Sequence, residues 1–391
     1  MQARRQAFLS LYASVVVATL GYGISFPLLS LRLEQMGLSG SYIGLNSAMP
    51  ALGWLIGALF LPKLHGELGL QRLLIVSLAV AIASALGFWA IEGFWAWTVL
   101  RFLFGGALGL FFRCIEYWIN GVSSDLVRGR NIGIYSVCFM IGIAAGSALQ
   151  PALGTADPMP LVAIAALLAV AASIVATARL VDHDIAAGRA LAIRLAPLLA
   201  VPVAAVGALA YGLLEDIPAY LMSVYAMRNG LGATIAAYTL TAAAVGNIIM
   251  PIPLGMLSDR IGRMPVLVGC ATIAAALSAS MHLTLSDPTL FLVALVAWGG
   301  CLGALYNVSL AVIGDRFRGG ALVVANAAFG IVYSLGSLVG PMINGSALDM
   351  LNSHGLMVSA MTIFLVFVFA SSALSLRTRR VSRVDATTDP D

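Results

Sequence analysis

Two carboxylates stand side by side inside an otherwise apolar run, Tyr211-Gly-Leu-Leu-Glu215-Asp216-Ile-Pro218-Ala-Tyr220. Ionisable groups in such a run are costly unless they are paired, neutralised or facing water, so they mark a place with a job. Two adjacent acids there can hold a cation, a proton or the cationic group of a solute. The plainer alternative is that both lie near the outer end of the run, where water reaches them. In a helix, Pro218 cannot donate to the Leu214 carbonyl, which weakens the backbone beside the acids. Tyr211 and Glu215 then share a face, while Asp216 points about 100° away. Which of the two acids turns inward is open.

A second concentration lies between residues 101 and 120. At about 100° per residue, Gly105, Phe112, Glu116 and Asn120 fall within about 100° of Arg101, a single polar stripe with Arg113 at its edge. Arg113 and Glu116 are three apart and can pair. A carboxylate whose partner can be exchanged for solute is how proton coupling is built, so Glu116 with Arg113 is the expected coupling pair, a purely structural ion pair being the other reading. Arg101, Phe112, Asn120, Tyr22, Tyr211, Glu215, Asp216, Tyr306 and Asn307 are the candidates for lining a solute site. An anionic group suits Arg113 and a cationic one Glu215, so a zwitterion or an amphiphile fits both.

Other chemistries find little support. Cys114, Cys138, Cys270 and Cys301 sit far apart in apolar runs without CxxC spacing, which suits core filling better than disulfides or metal. The four histidines are scattered. No GxxxxGK[ST] loop points to ATP and no HExxH or Ser/His/Asp arrangement to an enzyme, so neither a metal nor a cofactor is expected. The net charge of +4 comes from basic residues spread through short loops, which is no nucleic-acid footprint.

The elements that must position these residues are helices in a bilayer. Hydrophobic residues make up 61% of the chain and charged ones 10%, with a mean hydropathy of +0.98. A water-facing surface needs roughly 25% charged residues. Apolar runs of about 20 residues cross a hydrocarbon core as helices, and open sheets would leave backbone groups unpaired there. Twelve spans are predicted, near 8–31, 41–62, 72–91, 95–120, 131–153, 159–178, 196–224, 233–256, 264–284, 289–313, 321–348 and 355–376. The first follows Arg4 and Arg5 like a signal peptide, but it runs long, contains Pro27 and lacks a cleavage site, so it is read as a retained span. With the N-terminus inside, all but four of the 21 Lys and Arg residues fall on the inner side; the exceptions are Arg32, Arg228, Arg101 and Arg113. That bias places both termini in the cytoplasm. Residues 1–178 and 196–376 then form six-span halves joined by a cytoplasmic linker over 179–195, with a polar, disordered tail over 377–391.

The halves are related. Asp125-Leu-Val-Arg128-Gly129 recurs 190 residues on as Asp315-Arg-Phe-Arg318-Gly319, and at that offset Gly146 matches Gly336 and Pro151 matches Pro341. Duplicated sets of membrane spans are the architecture of secondary transporters. After the eighth span comes Gly255-Met-Leu-Ser-Asp259-Arg260-Ile-Gly262-Arg263, a glycine-bounded turn whose charges can lock neighbouring helix ends. This string resembles the loop signature of the major facilitator superfamily, and Arg101-Phe-Leu-Phe-Gly105-Gly-Ala-Leu-Gly109 resembles its RxxxGxxxG signature. In the first half the matching loop, Pro62-Lys63-Leu-His65-Gly66-Glu67-Leu-Gly69, carries Gly66 where the family has an acid that helps hold the outward-facing state. Gly133, Gly142 and Gly146 are spaced like the family's antiporter glycines, with Ser147 in place of the proline; as packing and kink sites they need no such role. The run from Arg101 to Arg130 looks like the YcaD-like bacterial branch.

The resemblance implies an all-α integral membrane protein of two pseudo-symmetric six-helix bundles working by alternating access, in a bacterial inner membrane and sufficient as a monomer. Gly255, Asp259, Arg260, Gly262 and Arg263, with Asp125, Arg128, Asp315 and Arg318, are then its conformational lock. The expected function is proton-coupled transport of a small organic solute, with export by antiport favoured mildly over uptake by symport. A non-transporting sensor is the rival from another class, disfavoured by the shortness of the linker and tail.

Overall fold

The computed structural model describes residues 2–123, 125–155, 158–178, 180 and 196–387. The predicted linker over 179–195 lies almost wholly outside the described residues. What is described is helical. The long helices of the first part are α1 (Gln2–Gln35), α2 (Gly40–Leu68), α3 (Leu70–Ala90), α4 (Phe94–Val122), α5 (Asp125–Leu153) and α6 (Met159–Thr177). They are followed by α7 (Ala196–Leu199), α8 (Pro202–Leu214), α9 (Met222–Arg228), α10 (Gly232–Ile249), α11 (Pro251–Ile261), α12 (Arg263–Ser280), α13 (Pro288–Arg316), α14 (Gly319–Leu348) and α15 (Gly355–Thr387).

Among the described residues, eleven helical stretches are long and apolar enough to cross a bilayer. The expected span over 196–224 is not one continuous helix. Pro202 lacks an N–H and starts α8 afresh. Beyond Leu214 the chain makes a π-helical turn over Ile217–Leu221, around Pro218, before α9. A π turn inside a helix is uncommon and frequently marks a functional site. At the other end, helical backbone runs to Thr387, past residue 376 and into the tail expected to be disordered.

The chain divides into two compact units, one of Met1–Ala190 with Pro218–Thr241 and one of Leu191–Ile217 with Ala242–Asp391. Each is held by tightly packed helix pairs. In the first, α1 packs on α5 and α2 on α4. A methyl group added at Gly23 would strike the Ile143 carbonyl, one at Gly146 the Leu20 carbonyl, and one at Gly105 the backbone of Pro50. In the second unit α8 packs on α14 through Gly212, Gly336 and Gly340, and the last turns of α10 meet α13 at Gly246, Gly299 and Gly303. Without a hydrophobic drive between helices in lipid, such close approach supplies the packing energy. Of the glycines in the family signatures, Gly105, Gly109, Gly142 and Gly146 are therefore packing sites, whereas Gly133 and Gly255 face open space.

One polar tie in the first unit was not expected. Arg228 at the end of α9 grips Glu34 of α1 with two bonds of 2.8 Å, both side chains 21% exposed. Bidentate, half-sheltered pairs of this kind are stronger than surface ones. A double-mutant cycle with Glu34→Gln and Arg228→Gln, followed by unfolding in detergent, is expected to give a coupling of about 1 kcal/mol; additive single effects would refute it.

Candidate functional site

The second unit places Glu215 and Asp216 at the start of the π-helical break and gives each its own partners from α14. Glu215 accepts hydrogen bonds from the Tyr333 hydroxyl, at 2.7 Å, and from the Ser337 hydroxyl. Tyr211, one turn earlier on the same face, stacks against Tyr306 and Tyr333 at 4.8 and 5.8 Å between ring centroids. The expected common face of Tyr211 and Glu215 is thus realised, with Tyr306 joining it from α13. Asp216 points elsewhere, as the helical angle requires. It is only 3% exposed, so the solvated reading of both acids does not hold. Asn344 donates to one Asp216 oxygen at 3.2 Å and to the Leu213 carbonyl at 2.6 Å, and accepts from Ser359 at 2.7 Å. The other Asp216 oxygen, Oδ2, has no hydrogen-bond partner.

Neither acid has a basic partner among the described residues. A buried carboxyl group in contact only with neutral donors can exchange a proton or a small cation without first breaking an ion pair. Pro218 makes this possible: the backbone opens beside the acids, and α14 comes close enough to supply donors because Gly336 and Gly340 have no side chains to keep it away. Ser337 and Asn344 were missed as partners. Ser337 directly follows Gly336, whose counterpart Gly146 is likewise followed by a serine, Ser147; that serine accepts from Thr241 at 3.1 Å. The repeat was the signal that could have found it.

The stripe expected on α4 is divided in the structure. Arg101 and Phe112 are buried, at 2% and 1% exposure, and Gly105 is pressed against α2. Glu116 and Asn120 are exposed, the Asn120 amide donating to the Glu116 carbonyl at 3.0 Å. Arg113 and Glu116 form no ion pair; the Arg113 guanidinium lies 6.0 Å from the ring of Trp54 in α2, and its Nε is buried without a partner. The physical reason is that the first half of α4 is wedged against α2 and α3, so equal angles around one helix do not mean equal surroundings. Asn307 is also exposed and bonds within its own helix, to the Gly303 carbonyl at 2.8 Å, apart from the Glu215 cluster.

Arg101 lies in an aromatic setting in the first unit. Its guanidinium carbon is 4.9 Å from the centroid of Tyr220. Tyr220 stacks on Phe26 at 5.1 Å, Phe26 on Tyr22 at 4.4 Å, and Tyr22 on Phe104 at 6.0 Å. Arg101 has no carboxylate in ion-pair range among the described residues, and its Nη1 has no hydrogen-bond partner.

The loop charges form a network within the second unit. Arg263, following Gly262 with its φ of +95°, donates to Asp315 at the end of α13 at 3.0 Å, to Ser258 at 2.6 Å, and to Asp259. Three helices, α11 to α13, are tied at one point. Gly255 has open space around it, and Arg260 and Arg318 are exposed. Arg128 donates to the Asn120 and Ser123 carbonyls at 3.2 and 3.3 Å, at the C-terminal end of α4. The Asp125 side chain lies outside what is described. Because Asp259 and Asp315 are 63% and 57% exposed, Arg263→Gln is expected to cost less than about 1 kcal/mol of unfolding stability. A larger loss in denaturant titrations would mean that these pairs carry more of the fold than exposed pairs do.

The chain is similar in sequence and in fold to known proteins. The family described as Major Facilitator Superfamily matches residues 11–204 and 204–390. YfkF of Bacillus subtilis (strain 168), named as an uncharacterized MFS-type transporter, is 27% identical over 343 residues, covering 86% of this chain and 88% of its own length. YcaD of Shigella flexneri, named in the same way, is 22% identical over 365 residues, 92% of this chain and 93% of its own. Among solved structures, the nucleoside transporter NupG superposes with a TM-score of 0.71 at 15% identity, covering 95% of this chain and 98% of that one. A D-xylose-proton symporter gives 0.69 at 17%, covering 93% and 96%.

Proposed function

Since the chain belongs to the major facilitator superfamily, and within it resembles the YcaD-like branch, we propose that this multi-pass membrane transporter couples the movement of a small organic solute to protons by alternating access. It is no enzyme; its relatives are transporters. The reading takes twelve spans, with the broken segment of α8, the π turn and α9 counted as the seventh, and both termini in the cytoplasm of a bacterial cell, in the inner membrane. It keeps six-helix halves over 1–178 and 196–376, and a monomer suffices for the mechanism.

The single observation that carries proton coupling is Glu215 held by two neutral hydroxyls at a π-helical break. Glu215 takes the proton on one side and gives it up on the other. Tyr333 and Ser337 stabilise its ionised form in place of a cation. Asp216, joined to Asn344, is the neighbouring acid whose occupancy answers to that of Glu215. Glu116, exposed and without an ion pair to Arg113, is a secondary proton acceptor on α4, and Arg113 stands close enough for its charge to act on it. Tyr22, Arg101, Phe112, Tyr211, Tyr306 and Asn307 are the residues proposed to contact the solute. The network of Arg263 with Asp259 and Asp315, flanked by Gly255, Arg260, Gly262 and Arg318, and with Arg128 and Asp125 at the matching loop, holds one conformation closed. Export remains the favoured direction, uptake by symport the alternative.

The test is a pair of measurements on purified protein in liposomes. Solute accumulation is followed under an imposed pH gradient, and exchange without one. Accumulation that tracks the gradient supports proton coupling; exchange that ignores pH on both sides rejects it and leaves a facilitator.

A further inference from the structure

We infer that the solute carried by this protein is an organic anion, whose carboxylate or phosphate head is received by Arg101 and whose flat or apolar body rests on Tyr22, Phe26 and Tyr220. The inference deepens the transporter reading and rests on it. Arg101 is 2% exposed, lies over the Tyr220 ring at 4.9 Å, and leaves Nη1 without a partner. A fully buried guanidinium costs several kcal/mol unless an anion is close. None comes from the described residues: Arg101 has no ion pair, and its polar neighbours are the phenols of Tyr22 and Tyr220. Phenols are uncharged at neutral pH. A cation–π contact offsets part of the cost, on the order of 2 kcal/mol when desolvated, and leaves the orphan donor unanswered.

The chain contains its own control on whether helix packing demands an arginine here. Gly105 and Gly109 of α4 approach α2 as Gly299 and Gly303 of α13 approach α10. Counting back four residues from the leading glycine gives Arg101 in the first unit and Leu295 in the second. Leu295 is fully buried, so the same glycine-spaced packing is satisfied by an apolar residue. The positive charge is therefore not required by the helix pair. A buried charge that packing does not need, and that the protein answers only with the uncharged Tyr220 hydroxyl and ring while Nη1 stays unpartnered, is a receptor for a charge brought from outside. Arg offers two parallel N–H donors that match a carboxylate or phosphate. The rings beside it are almost covered, Tyr22 at 6% and Tyr220 at 8%. Admission thus requires Tyr220 to move, and Tyr220 stands in the π-helical turn, a departure from regular helix that is frequent at functional sites.

The experiment measures thermal unfolding of the purified full-length protein at constant ionic strength against isosteric probes. Benzoate, phenylacetate and phenyl phosphate supply the two anionic heads; benzamide, phenylacetamide and benzylamine supply neutral and cationic counterparts. At least one anion is expected to raise the unfolding temperature in a saturable way while its neutral isostere does not. Arg101→Gln should weaken that anion at least about 30-fold, as truncating one partner of a desolvated charge pair does, and Arg101→Lys should weaken it less. If Arg101→Gln does not fold, the contrast between isosteres on the wild type and the Arg101→Lys affinity decide. Equal binding of an amide and its acid, undiminished anion binding in Arg101→Gln, or no response to any anion overturns the inference. Anion binding without flux in liposomes would sink the transporter reading and leave the anion site standing. Flux of neutral solutes alone would do the reverse.

Discussion

Glu215→Gln is expected to leave solute exchange running and to remove its link to the proton gradient. With one proton per solute, a gradient of one pH unit is worth about 1.36 kcal/mol and supports about tenfold accumulation; the variant should accumulate none. Gln keeps the shape of the side chain and can still hydrogen-bond both Tyr333 and Ser337, whose hydroxyls accept as well as donate, so the fold should survive. The two results together carry the meaning, since loss of both activities would indicate damage rather than uncoupling. Proton-driven accumulation that persists in Glu215→Gln and disappears in Glu116→Gln would move the coupling site to α4.

Gly212→Val is expected to cost more than any polar substitution at the site. A Cβ there runs into the Tyr333 carbonyl and lies 2.9 Å from the Ser337 nitrogen and 3.0 Å from the Gly336 Cα. Backbone has no rotamer to yield, so α8 and α14 must separate and Ser337 and Tyr333 leave Glu215 with them. Overpacking typically costs about 1–3 kcal/mol and more where backbone is the obstacle. About 3 kcal/mol or greater is expected, enough to remove most of the folded protein from a detergent extract. The controls are Gly129→Ala and Gly133→Ala, where nothing stands within 4 Å of the added methyl. Thermal unfolding should separate the two classes cleanly; a near-neutral Gly212→Val would mean that α8 and α14 do not pack as described.

Much of this was legible in the residues. Mean hydropathy and the near-absence of charge in runs of about 20 residues required membrane helices, because a hydrocarbon core leaves a backbone almost no other choice. The repeat of Asp125-Leu-Val-Arg128-Gly129 as Asp315-Arg-Phe-Arg318-Gly319 indicated two related sets. The break at Pro218, and the divergence of Glu215 from Asp216 by one helical step, follow from local covalent geometry and were read correctly for that reason.

Partnership was decided elsewhere. Glu215 finds Tyr333 and Ser337 more than a hundred residues away, and Asp216 finds Asn344, because glycines let α14 approach α8 closely. Arg113 and Glu116, neighbours by sequence spacing, form no ion pair, the guanidinium turning toward Trp54 while both charges stay near Tyr135, and Arg101 was sealed among aromatic rings that come from α1, α4 and the π turn. Helical angle is a one-dimensional property that the chain carries in itself. Whether a given angle meets lipid, water or another helix depends on which helices pack against it, and that is set by the whole bundle.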